Sequence, residues 1–126
     1  MSNFRYIDDA RNINASLEAK ESVKELLSLC YKLRETASKN YGYDRLNEWS
    51  KPISDLISTI LYRHGFKNGE KEYNDTLPDV VYIWKVYETW TLIIYSPNLK
   101  TKVANHHASA YERNEAFIIE LENLLK

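Results

Sequence analysis

The side chains of this 126-residue chain with the plainest chemistry are three histidines, His64, His106 and His107, and eighteen acids. His106 and His107 are neighbours, and on a helix neighbouring side chains diverge by about 100°, so the two cannot readily chelate one ion. The spacings Glu-x-x-His and His-x-x-x-His, which set two ligands on one helix face, do not occur. The lone cysteine, Cys30, excludes an internal disulfide and a cysteine-based zinc site. Neither a metal nor a cofactor is expected. No nucleophile elbow, phosphate-cradling glycine loop or zinc motif appears. The acids Glu112, Glu115, Glu120 and Glu122, with Arg113 among them, read as the solvated face of a long helix.

The enzymatic alternative is a dimeric, metal-independent ribonuclease. Such a centre, of the kind seen in HEPN-type helical domains, sets an arginine and a histidine several residues apart across a homodimer. Here Lys102 precedes His107, and no arginine stands between Arg63 and Arg113. A lysine can steady a phosphorane charge but lacks the planar fork that grips phosphate in two places. In this reading Lys102 stabilises phosphate and His107 is the general acid or base. The chain resembles that class in layout alone, so membership is not claimed.

A contact surface is the stronger expectation. Residues 67–76, KNGEKEYNDT, form the one stretch that reads as a substantial loop, and long connections in small domains often carry function. Glu70, Glu72, Tyr73 and Asp75 lie in it, and Tyr62, His64 and Phe66 precede it at a helix end. Together they predict an acidic, tyrosine-bearing face for a basic protein. Trp84 joins the list for a different reason. In the apolar run 80–95, Trp84 and Trp90 fall about 120° apart on a helical wheel, so a single neighbour cannot cover both. Trp84 therefore marks either a second internal neighbour or a partner interface.

These residues need helices to hold them. Three glycines and three prolines are few for a β-rich fold. Apolar positions recur at three and four from Val23 to Tyr41, and again from Leu46 to Leu61. Asn14 or Ser16 can cap the first of these helices, and Gly42 or Gly65 can end them. Val, Ile, Thr, Tyr and Trp also suit strands, but a strand over 80–95 would bury Glu88 among tryptophans, whereas a helix turns Lys85 and Glu88 away from Ile83, Val86, Trp90 and Ile93. The fold predicted is an all-α, antiparallel four-helix bundle with helices at 15–41, 44–64 (kinked at Pro52), 78–95 and 97–126. A break at 105–109 is equally compatible with the last segment, and the first twelve residues can dock as a strap.

Length and composition predict one domain, 1–126, able to fold without disulfides or metal. Net charge is −1, and the stretches 1–42, 43–76 and 77–126 carry +1, −1 and −1, so no segment is built to neutralise phosphates. Nucleic acid is not the expected partner. The apolar run is too short and too charged to span a membrane, and the start of the chain lacks a signal-peptide core, which points to the cytoplasm. The function expected is a small non-enzymatic module that binds another protein. An immunity protein or antitoxin that neutralises a basic toxin, or a phage-type inhibitor of a host factor, fits that description. A structural subunit of a larger assembly and a homodimer remain alternatives.

Overall fold

The run at 80–95 is a helix, with Lys85 and Glu88 on the side opposite Ile83, Val86, Trp90 and Ile93. Pro78 occupies the first turn, where its missing N–H costs nothing, and the helix continues to Tyr95. Residues 5–36, 46–67, 77–96 and 108–126 are described in the computed structural model. Among them are five helices and no strand: α1 (Arg5–Ala10), α2 (Leu17–Thr36), α3 (Leu46–Arg63), α4 (Pro78–Tyr95) and α5 (Ala110–Leu124). The protein is an all-helical bundle.

The expected four helices become five. The strap at the start of the chain is α1, whose Ile7 and Ala10 are fully buried. It lies on the very side of α4 that carries Lys85 and Glu88: the Lys85 ammonium sits 5.4 Å from the centre of the Tyr6 ring. The charged side of α4 is thus covered rather than turned to water, and burial pushes the Glu88 carboxyl up against the opposing pull of Lys85. The segment expected at 97–126 is also corrected, since a helix begins afresh at Ala110. Ser109 is extended there, its hydroxyl accepts from the Glu112 N–H, and the Glu112 carboxylate accepts from the Ser109 N–H. This reciprocal cap satisfies N–H groups that a continuous helix would have bonded itself. Residues 37–41, 44, 45 and 97–107 of the expected helices lie outside the described residues. Pro52 does not split α3, which is one element from Leu46 to Arg63.

α4 is the central element and touches all four other helices. Trp90 is the pivot. Its ring meets Trp49 of α3 at 5.8 Å and Phe117 of α5 at 4.7 Å, and its indole N–H donates to Ser54 at 3.1 Å. Around it Ile7, Val23, Leu26, Ile53, Ile57 and Leu121 complete one continuous apolar core. Removing such a fully buried aromatic to alanine costs about 3–5 kcal/mol, so the core has ample means to hold strained or polar features elsewhere.

Two of those polar features close helix ends. Arg113 of α5 is completely buried, and its Nη1 donates to the carbonyls of Ile93, Ile94 and Ser96 while Nε donates to Ala108 at 3.1 Å. The carbonyls of Ile93, Ile94 and Ser96 close the end of α4, where they lack helical partners and carry the negative end of its dipole. The expectation that Arg113 and Glu120 lie on a solvated face is therefore overturned, since both are buried. One residue on, Asn114 Nδ2 donates to the Cys30 carbonyl at 2.9 Å and ties α5 to α2. The second feature lies where the start of α2, the end of α3 and the start of α4 come together.

Candidate functional site

The end of α3 is set by Gly65, which adopts a φ of 110° that other residues strongly disfavour. Phe66 N–H then bonds the Leu61 carbonyl at 2.9 Å and Gly65 N–H bonds Tyr62 at 3.2 Å, the paired bonds of a Schellman motif. A Cβ on Gly65 would come within 3.2 Å of Leu77. This tight stop leaves His64 as the residue just past the end of α3, with its side chain only 7 % exposed.

Both ring nitrogens of His64 have neighbours. Nε2 lies 2.9 Å from Ser22 Oγ on α2, and Nδ1 lies 3.5 Å from Asp79 Oδ2 at the start of α4. Asp79 is itself held by Ser16: the Ser16 N–H donates to Oδ1 at 2.7 Å and the Ser16 hydroxyl to Oδ2 at 2.6 Å. The same Ser16 hydroxyl accepts from Ala19 N–H, so it caps α2, as the sequence predicted for Asn14 or Ser16. Burial pushes the Asp79 carboxyl up, but the two bonds from Ser16 and the facing His64 ring outweigh it and hold the group below its ordinary value. An ionised Asp79 only accepts, which assigns the Nδ1 proton to His64 and leaves Nε2 to accept from Ser22. On the far side of Ser22, Arg63 Nη1 approaches Oγ at 3.3 Å and pairs with Glu25 at 2.9 Å.

Two hollows share His64 as a wall. One, of about 540 Å³, runs along α2 and is bounded by Leu17, Glu18, Glu21 and Glu25 on one side and Arg63 on the other, with Ser22 in its lining. The smaller, of about 370 Å³, lies between Asn14, Ser16, Leu77 and Asp79. Leu17 is 71 % exposed and Leu77 40 % exposed, one at each hollow. Glu18 forms no ion pair among the described residues, whereas Glu21 pairs with Lys24 at 3.2 Å.

Of the surface expected from the sequence, Tyr62 is exposed, one residue from Arg63. Phe66 is half-buried and stacks on Trp84 at 5.5 Å, and Trp84 also meets Tyr87 at 5.2 Å. The second stripe of α4 is thus met in part by this chain's own aromatic rings. Glu70, Glu72, Tyr73 and Asp75 lie outside the described residues, as do Lys102, His106 and His107 of the ribonuclease and metal readings. Ser22, Arg63, Asp79 and the acids of α2 were not singled out by the sequence. Arg63 and Asp79 had one sequence signal, their place at helix ends, and Ser22, inside α2, had none. Among the described residues no three His, Cys, Asp or Glu side chains are grouped to hold a metal. No helix among them is long and apolar enough to cross a membrane.

Comparison with protein families, curated proteins and solved structures returns no match. The function is therefore argued from the site alone.

Proposed function

We propose that this protein is a small module that binds another protein, and that the His64 end of the bundle is its contact surface. One observation carries the reading: the large exposed side chains Leu17 and Leu77 stand at hollows that share His64, beside an α2 flank of Glu18, Glu21 and Glu25. Exposed leucines scattered singly need no explanation, but two at neighbouring hollows of one helix junction form an apolar centre with a polar rim. The rim is acidic, so the partner presents lysine or arginine around an apolar anchor. That chemistry suits an immunity- or antitoxin-type protein acting on a basic toxin, or an inhibitor of a basic host factor. Exposed Tyr62, next to Arg63 in α3, is a candidate extension of the surface.

The test is charge reversal. Glu18 is exposed and unengaged by any described cation, so Glu18→Lys should cost only about 1 kcal/mol, from its place in the first turn of α2, and leave the protein folded. A partner recovered from the native host should bind the variant at least about tenfold more slowly at low salt, because rim charges act chiefly on association rate. Unchanged association at low salt would remove the acidic flank from the interface.

A further inference from the structure

The contact surface makes no use of the line formed by Ser22, His64 and Asp79. Ser22 belongs to the lining of the larger groove although it is 3 % exposed, and its hydroxyl stands between His64 Nε2 at 2.9 Å and Arg63 Nη1 at 3.3 Å. We propose that Ser22 is a nucleophilic serine that accepts an acyl group from cationic esters, with His64 as its base and Asp79 as the carboxylate that positions the ring. The base nitrogen lies 2.9 Å from the nucleophilic oxygen, the reach the chemistry requires, and the Asp79 carboxylate stands behind the other ring nitrogen at 3.5 Å, an ion-pair distance that must shorten as the ring takes up a proton.

Each member is held by the next. Asp79 cannot turn away from the ring without breaking two short bonds to Ser16, and Ser16 cannot move without uncapping α2. His64 is held between Ser22 on α2 and Asp79 on α4, one contact on each ring nitrogen. Preorganisation of this kind is what distinguishes a working nucleophile from a serine that happens to touch a histidine. The rival nucleophile, Cys30, is buried elsewhere on α2, and desolvation pushes its thiol up to about 12, where it is inert.

The oxyanion partner differs from the usual pair of backbone N–H groups. Ser22 lies inside α2, so the N–H groups that follow it are spent on helical hydrogen bonds. That role falls to the Arg63 guanidinium, whose Nη1 donates to Ser22 Oγ at 3.3 Å and to Glu25 at 2.9 Å and so brings a positive charge beside the reacting oxygen. Substrate charge follows from the walls. Glu18, Glu21 and Glu25 repel acidic esters and attract a cationic group, while Leu17 offers apolar contact at the mouth.

The reaction balances without any further reagent. Ser22 Oγ adds to the ester carbonyl carbon as its proton passes to His64 Nε2. The carbon–oxygen bond to the alcohol breaks, and the leaving alcohol takes that proton from His64. Water then adds to the acyl carbon, gives a proton to Nε2, and releases the acid as Ser22 recovers its proton. The net change is ester plus water to acid plus alcohol.

The decisive probe is p-nitrophenyl p-guanidinobenzoate, a cationic ester, mixed with the full chain. The expected result is a burst of about one nitrophenolate per chain, with the acyl group found on Ser22 by peptide mapping. The burst rate should fall by about a hundredfold or more in His64→Gln, with helicity by circular dichroism unchanged. The neutral p-nitrophenyl benzoate should react more slowly than the cationic ester. Absence of a burst, acylation of a lysine or tyrosine instead of Ser22, or an equally fast burst in His64→Gln would overturn the assignment. Mapping on the unaltered chain decides the matter even where Ser22→Ala folds poorly.

Discussion

The Arg113 and His64 clusters both close helix ends with polar side chains, yet they are built from different materials. Arg113 spends its guanidinium on backbone carbonyls of Ile93, Ile94, Ser96 and Ala108, and it is sealed from water. At the other end, Ser16, Ser22, Arg63, His64 and Asp79 bond chiefly to one another, and their cluster opens on two hollows. A polar group satisfied by fixed backbone can do nothing further. Side chains bonded to side chains beside a groove can exchange partners with a ligand. The first cluster is scaffold, and the second is where function is sought.

The contrast can be broken at its strongest point first. Arg113→Met removes the donor from several buried carbonyls at the end of α4, and urea unfolding should show a loss of about 3–5 kcal/mol. A loss under about 1 kcal/mol would mean that α4 ends well without it. Gly65→Ala comes next, because it combines a positive φ with a 3.2 Å approach to Leu77. It should cost about 1–2 kcal/mol by the same measurement and also slow acylation at Ser22, since it shifts His64.

Asp79→Asn sharpens the comparison through pH. The folded carboxyl lies below its ordinary value, so its contribution is fully present above the unfolded value of about 3.9 and is lost as pH falls through the folded value. The variant should lose about 1 kcal/mol at pH 7, where it gives up a negative charge in the first turn of α4 that also accepts from Ser16, and should be less sensitive than the parent as pH falls below about 5. Parallel acid-unfolding curves would place the acid sensitivity elsewhere. The smallest effect is expected at Lys51, whose ammonium meets Asp55 one turn on at 3.3 Å with both side chains exposed to solvent. Lys51→Ala should stay within about 0.5 kcal/mol of the parent.

Much of the scaffold was legible before the structure. Lys85 and Glu88 decided for a helix at 80–95 because a strand would have buried the carboxylate, and Gly65 with Phe66 marked the end of α3. Sequence patterns report what a residue does along its own helix. They did not show that α1 would cover Lys85 and Glu88, because that depends on where another element docks. Arg113 was misread for the same reason: its neighbours Glu112 and Glu115 suggest water, and only the arrival of α4 beside it makes a guanidinium the right group to bury. The candidate site repeats the lesson. Ser22 lies 42 positions from His64, and Ser16 lies 63 from Asp79. Each helix end could be located in the sequence, but their meeting could not.

The claim that the His64 end is the working surface is tested most directly by one matched pair of substitutions. Leu17 at that end and Ile119 on α5 are both exposed apolar residues, so Leu17→Asp and Ile119→Asp should each leave thermal unfolding nearly unchanged. Titration calorimetry with the partner recovered from the native host should show about tenfold or greater loss of affinity for Leu17→Asp and none for Ile119→Asp. Equal affinity of both variants, or a loss confined to Ile119→Asp, would contradict the account.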